Sequence, residues 1–139
     1  MRQIKCLRLI CMSITLIPFL FSTALLAQDE SMTGIQLEEA AICRNIENRV
    51  PIGKGSVFHA SIGRLYCFTK VVGAQTDTTI IHHWYLNGKL NASVTLPVQS
   101  AAWRTWSSKD IKPSESGDWM VEVLTAEGDA LESILFLVQ

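Results

Sequence analysis

The sequence predicts an all-β fold, an immunoglobulin-like β-sandwich of about seven antiparallel strands. Three observations predict it. From residue 39 onward, apolar residues alternate with polar ones or form short runs rich in Val, Ile, Thr and aromatic side chains. Turn residues interrupt these runs about every eight to twelve positions. No stretch has the period of an amphipathic helix. Short strands with regular turns are typical of two packed antiparallel sheets.

Seven candidate strands follow in chain order, separated by turn residues. They are Glu39–Ile46, Arg64–Val72, Thr78–Leu86, Lys89–Val98, Trp103–Ser108, Asp118–Thr125 and Ala130–Val138. Asn87-Gly88 joins the third and fourth runs, and both residues tolerate positive φ, so it predicts a two-residue type I′ hairpin. The triplet at 127–129 predicts a hairpin of the same kind before the last strand. The stretches 51–55 and 112–117 are predicted loops.

The alternation also predicts which tryptophans are buried. In the third strand Trp84 shares a face with Ile80 and His82, and in the sixth Trp119 shares one with two valines. Residues 115–121 have the spacing of the corner before strand F of an immunoglobulin domain, with Trp119 in place of the usual Tyr. Trp84 and Trp119 are therefore predicted to be core residues.

The N-terminus has the order of a secretory signal peptide. A short basic stretch precedes a mostly apolar run from residue 9 to 26, with Pro18 in its middle. Cleavage is expected after Ala27, with Ala24 as the alternative; an uncut segment would be a membrane anchor. The resulting division is a signal peptide at 1–27, a polar linker at 28–38 and the β-sandwich domain at 39–139.

Charge and motifs exclude several classes of function. The first 27 residues hold three of the twelve basic residues and none of the thirteen acidic ones, so the remainder carries a net charge of −4. A mildly acidic domain is a poor partner for nucleic acid. No phosphate loop, CxxC or HExxH is present. His82 and His83 are adjacent and point to opposite faces of a strand, so they cannot bind one metal ion together, and His59 is the only other histidine. No metal site and no cofactor are expected.

Two cysteines remain after the predicted cleavage, Cys43 and Cys67. An exported protein with two thiols in an oxidising compartment is expected to pair them, which would join the first predicted strand to the second. The alternative is two buried free thiols.

The stretch from Trp103 to Lys109 is the predicted binding site. Trp103 points to one face of its strand, and Arg104 and Trp106 point to the other. A flat aromatic ring beside a guanidinium suits a sugar ring, a carboxylate or a side chain of a protein partner. The alternative is that Arg104 stacks on Trp106 and covers an open sheet face. His82 is interpreted as a hydrogen-bonded interior ring, or as part of a pocket with Trp84.

No catalytic residue is predicted. Ser107, His82 and Asp110 form a possible nucleophile, base and acid, but most chains of this size contain such a triple.

Several strings of residues resemble a bacterial exported family. They are Val50-Pro51, Tyr66-Cys67-Phe68-Thr69, Ile81-His82-His83-Trp84-Tyr85, Trp103-Arg104-Thr105-Trp106-Ser107-Ser108-Lys109, Gly117-Asp118-Trp119-Met120-Val121-Glu122-Val123 and Phe136-Leu137-Val138. From Cys43 to Val138 the chain is similar to the domain of unknown function DUF2914. The family has no established activity, so the resemblance implies an exported location and this fold, and it implies no catalytic residues.

These observations lead to one expected function and two alternatives. The expected function is a non-enzymatic periplasmic module that binds a cell-envelope protein or glycan through Trp103, Arg104, Trp106, His82 and Lys109. The alternatives are a small periplasmic enzyme acting on envelope polymers and a purely structural domain.

Overall fold

The computed structural model describes residues 34–139, and the predicted signal peptide and residues 28–33 of the predicted linker lie outside the described residues. The strands are β1 (Gln36–Cys43), β2 (Asn45–Glu47), β3 (Val50–Ile52), β4 (Val57–Phe58), β5 (Arg64–Val72), β6 (Thr78–Leu86), β7 (Lys89–Val98), β8 (Ala102–Asp110), β9 (Gly117–Thr125) and β10 (Ala130–Val138). One 3₁₀ turn spans Ala60–Ile62. Within this part of the chain, no helix has the length and apolar character to cross a membrane.

Two sheets of unequal width form the sandwich. The narrow sheet has three strands in the order β1-β5-β8, and the wide sheet has five in the order β4-β10-β9-β6-β7. Neighbouring strands are antiparallel, except that β4 runs parallel to β10. The core between the sheets includes Leu65 and Val71 from the narrow sheet and Ile80 and Val121 from the wide one. The predicted all-β sandwich is confirmed, and its immunoglobulin-like character stays a prediction.

The alternation of apolar and polar residues predicted the bounds of most strands correctly. The observed bounds of β5, β6, β7 and β10 equal the predicted ones. β9 begins one residue earlier than predicted, and β8 begins one residue earlier and ends two residues later. The first strand differs more, because β1 spans Gln36–Cys43 rather than 39–46. It ends at Cys43 because the chain then turns, with the Arg44 amide donating to the Ile52 carbonyl at 3.0 Å.

The short hairpin β2–β3 is an element that the sequence did not predict. Asn48 and Arg49 form its turn with φ of 50° and 62°. Arginine is an unusual residue in this left-handed region, so the pair gives no hairpin signal in the sequence. The hairpin contacts β1 and β5, and Pro51 is buried.

The two predicted tight hairpins differ in outcome. Asn87 and Gly88 have φ of 47° and 78°, which agrees with the predicted two-residue turn. In the last hairpin only Gly128 has positive φ, its amide donates to the Thr125 carbonyl, and the Thr125 amide donates to Asp129. That turn is therefore a three-residue loop, and the predicted two-residue turn was wrong there.

The predicted disulfide between Cys43 and Cys67 is not formed, and both thiols are free and buried. In the β1–β5 register Cys67 lies opposite Ile42, whereas Cys43 lies opposite Tyr66. Directly opposed residues share a face, so the two thiols point to opposite sides of the narrow sheet. Burial raises the pKa of Cys43 to about 11 and raises the pKa of Cys67 further above its ordinary value.

The aromatic core confirms the predicted burial of Trp84 and Trp119, which are 0% and 1% exposed. Phe136 lies between them, edge-on to Trp84 at 6.2 Å and stacked on Trp119 at 5.9 Å between ring centroids. The Trp119 indole donates to the Glu115 carbonyl at 2.8 Å. This bond closes the corner before β9, as the Tyr hydroxyl does in the corner that the sequence resembled.

We expect Trp84→Ala to lower the free energy of unfolding by about 3 to 5 kcal/mol, because it leaves a cavity that its neighbours cannot fill. Leu135→Ala is the control, since Leu135 is 70% exposed, and should change that free energy by less than about 0.5 kcal/mol. Urea unfolding measures both. Equal losses would contradict the assignment of the core.

Alkylation without reductant tests the state of the thiols. We expect Cys43 and Cys67 to resist iodoacetamide in the folded protein, because the thiolate is the reactive form and burial raises both pKa values. Both should react in denaturant. Peptide mapping reports each site, and a peptide in which Cys43 is linked to Cys67 would contradict the structure.

Candidate functional site

A buried polar cluster joins the two sheets. His82 on β6 is 0% exposed, and its Nδ1 lies 2.7 Å from the Ser107 hydroxyl on β8. The indole of Trp84 donates to the same hydroxyl at 3.0 Å. On the other side of the ring, Nε2 lies 3.5 Å from Oγ1 of Thr69 on β5, and that hydroxyl donates to the Thr105 carbonyl at 3.1 Å. Three strands are thereby held together through one imidazole.

The donor and acceptor roles in this cluster can be assigned. Because Thr69 gives its proton to a carbonyl, it can only accept from His82, so Nε2 carries the ring hydrogen. Nδ1 of the neutral ring is then the acceptor, and the Ser107 hydroxyl donates to it while accepting from Trp84. Burial lowers the pKa of His82 to about 4, which keeps the ring neutral.

Ser107 and His82 have the contact of a nucleophile and its base, but their surroundings do not suit that role. Ser107 is 4% exposed, and its hydroxyl already donates to one side chain and accepts from another. Asp110, the third member of the possible triple, is exposed and bound to Arg64 at 2.6 Å. The hydrogen bond from Arg64 lowers the pKa of Asp110. The structure brings two of the three residues together and leaves the acid outside the sandwich.

Three of the predicted binding residues, Trp103, Arg104 and Trp106, meet in an open groove of about 360 Å³ at the edge of the narrow sheet. Its lining residues are Arg49, Pro97, Trp103, Arg104, Thr105 and Trp106. Trp103 points toward the core side, and Trp106 lies on the outer face opposite Phe68, each half-buried. Both indoles therefore present part of their surface to the groove, and no acidic side chain lines it.

Neither arginine of the groove has an ion-pair partner within residues 34–139. Arg104 is exposed and lies opposite Lys70, which is bound to Glu38 instead. Arg49 places its guanidinium 5.8 Å from the ring centroid of Trp103. Sequence reasoning missed Arg49, because only the β2–β3 hairpin brings residue 49 to the edge of β8.

The other two predicted binding residues lie elsewhere. His82 belongs to the interior cluster, and Lys109 lies near the end of β8. The Lys109 amine contacts Glu115 at 3.7 Å, donates to the Asp110 carbonyl at 2.7 Å and lies 5.7 Å from the ring centroid of Trp119. A hydrogen bond from the Lys112 amide lowers the pKa of Glu115. Lys109 thus takes part in fixing the loop before β9.

Comparison with protein families agrees with the predicted resemblance. The family described as "Protein of unknown function (DUF2914)" matches residues 77–138, which confirms the resemblance over that range. The matched segment runs from the start of β6 to the end of β10 and includes the groove residues of β8, whereas Arg49 lies before it. A search of curated proteins found no match.

The low pKa of His82 predicts a pH-dependent stability. Between about pH 4 and 6.5 the unfolded chain binds a proton at this residue that the folded chain does not. Stability should therefore fall as the pH falls, by about 2 kcal/mol from pH 7 to pH 5. Urea unfolding at several pH values measures this. His82→Gln should flatten the dependence and His83→Gln, on the opposite face of β6, should keep it; equal slopes in both variants would contradict the assignment.

Proposed function

We propose that this DUF2914 domain is a non-enzymatic binding module of the bacterial cell envelope, and that it recognises a carboxylate-bearing partner through the groove at the edge of β8. The groove residues that carry the proposal are Arg49 and Arg104 with Trp103 and Trp106. Two guanidinium groups can each hold a carboxylate through paired N–H donors, and the indoles supply flat apolar surface beside them.

The single observation behind the choice of an anionic partner is the charge of this groove. The groove combines two cations and no acid, although acidic residues outnumber basic ones in the rest of the chain after residue 27. Arginines that serve only to cover a sheet would be expected to pair with the available carboxylates, as Arg64 does with Asp110. Arg49 and Arg104 are left available for a ligand.

The arrangement favours binding over the two alternatives. An enzyme would gain from polar groups gathered in one cleft, but Arg104 and His82 lie on different sides of the narrow sheet, and His82 is enclosed. A purely structural domain would gain from burying all its large aromatic side chains. Trp84 and Trp119 are buried, whereas Trp103 and Trp106 keep exposed surface at the groove.

The envelope location is supported by the N-terminal sequence. A basic stretch followed by an apolar run is typical of a secretory signal, so the domain would act in the periplasm after cleavage. An uncut segment would instead hold the same domain at the inner membrane. Either arrangement would expose the groove to envelope proteins and polymers.

Titration with defined acidic polymers tests the proposal. We expect poly-L-glutamate or the polyuronate alginate to change the fluorescence of the groove tryptophans, and neutral dextran to have no effect. Arg104→Gln and Arg49→Gln should each raise Kd by about tenfold, because each removes a charge-assisted pair of hydrogen bonds. Arg104→Lys should weaken binding less, since it keeps the charge and loses the planar donor group.

Lys89→Gln is the matched control, because Lys89 is an exposed cation at the start of β7 and does not line the groove. Its Kd should stay within about twofold of the wild-type value. Melting temperatures of all variants identify any loss caused by unfolding. The proposal is wrong if neither an acidic polymer nor an acidic peptide binds, or if Lys89→Gln weakens binding as much as the groove variants.

A further inference from the structure

The outer edge of β8 presents free backbone groups. β8 is the last strand of the narrow sheet, so only one of its sides is paired, with β5. The amides of Ile111 and Gly73 donate to the carbonyls of Gly63 and Ala101, and these pairs fix the phase of the ladder. In an antiparallel pair, successive residues direct their backbone groups alternately to the two sides of the strand. Odd-numbered residues of β8 therefore direct their N–H and C=O groups to β5, and even-numbered residues direct theirs to the free edge of the sheet.

Three successive outward positions lie along the groove and beyond it, at Arg104, Trp106 and Ser108. Their backbone N–H and C=O groups form no hydrogen bond with the rest of residues 34–139. Such a row is a template for another extended chain. The edge also contains no proline, which would remove a donor.

The wide sheet extends past the edge of the narrow one: within the described part of the chain, its last strand, β7, has no strand of the narrow sheet packed over its core-facing side. The core-facing residues of β6 are buried completely, as Ile80 and His82 show at 0% exposure. Their partners on β7, Leu96 and Val94, point to the same side and remain half-exposed. β7 contacts β8, so this apolar strip borders the free edge. A fourth strand beside β8 would cover it.

We propose that an extended, acid-bearing segment of a partner protein binds as a fourth strand on the free edge of β8. This inference rests on the proposed function and assigns the carboxylate to a peptide. The strand would pair its backbone with Arg104, Trp106 and Ser108, and the residue opposite Arg104 would lie on the outer face and carry the acid. Residues on either side of it would face Val94 and Leu96, and these should be apolar.

A peptide matches these observations better than the other acidic occupants. Every second residue of an extended peptide directs an N–H donor and a C=O acceptor to the same side, which matches the spacing of the free backbone groups of β8. A sugar polymer has no regular series of paired donors and acceptors at this spacing. A second copy of the domain is less complementary. The one acidic residue on β8 is Asp110, which is already bound to Arg64.

A synthetic peptide as long as β8, nine residues, with the sequence Val-Glu-Val-Thr-Val-Glu-Val-Thr-Val, provides the direct test. N-methylation of the Glu and Thr amides removes the donors that face β8, and N-methylation of the internal Val amides removes those that face solvent. The first peptide should bind at least about tenfold more weakly than the parent, and the second within about twofold. A peptide with Lys in place of Glu should not bind.

A change in the protein tests the same contact from the other side. Ser108→Pro removes an N–H group at the free edge and leaves the β5 ladder intact, because Pro is tolerated on such an edge. It should weaken peptide binding by about tenfold. Ser108→Ala keeps the N–H group and should bind as the wild type does. The N-methylated peptides need no variant, so the test stands even if Ser108→Pro fails to fold.

The outcomes separate this inference from the proposed function. Equal affinity of the two N-methylated peptides would overturn strand addition, as would binding of alginate without binding of the peptide; the groove would still be an anion-binding site in both cases. A dimer in analytical ultracentrifugation that Ser108→Pro dissociates would assign the edge to a second copy and overturn the inference. If neither alginate nor polyglutamate nor the peptide binds, both proposals are wrong.

Discussion

The hydrogen bonds of one buried imidazole connect the two halves of this sandwich. His82 stands on the wide sheet and bonds to two strands of the narrow sheet, through Ser107 on β8 and Thr69 on β5. Each donor in the series of hydrogen bonds from the Trp84 indole to the Thr105 carbonyl has an acceptor. No buried polar side-chain atom within the described residues lacks a partner. A completely satisfied polar network in an apolar core restricts which strand can face which, because a shift of one residue would leave several polar groups unpaired.

That restriction has a consequence at the surface. The hydrogen bond to His82 fixes the Ser107 side chain on the core side of β8. Because side chains alternate along a strand, those of Arg104, Trp106 and Ser108 then lie on the outer face. The narrow sheet then ends above β7, and the strip containing Val94 and Leu96 is left half-covered. The groove at this edge follows from the unequal width of two sheets whose alignment is set by an interior histidine.

The sequence predicted what alternation controls and missed what depends on long-range placement. The bounds of β5, β6, β7 and β10, the face of Trp84 and the grouping of Arg104 with Trp106 follow from a period of two within single strands. The predicted disulfide between Cys43 and Cys67 was wrong because it depended on the register between two strands, where a shift of one residue decides the face of a side chain. Placing Arg49 at the groove would have required a prediction of the β2–β3 hairpin, and arginine in its turn seldom adopts positive φ. Lys109 was grouped with the site by proximity in sequence, but its amine lies near the Trp119 ring and Glu115 at the end of β8, away from the groove.

A free edge strand is normally protected against pairing, and a charged residue such as Arg104 is one common protection. Protection alone would be best served by charge, proline or a bulge, with few aromatic side chains nearby. This edge combines its charges with two half-exposed indoles, and it borders an apolar strip on the opposite sheet. Apolar surface raises the tendency to pair with another strand, whereas unpaired arginines disfavour strands that lack an acid to match them. Under the proposed strand addition, this combination would accept a strand that carries an acid and disfavour others, as a recognition surface does and a merely protected edge does not.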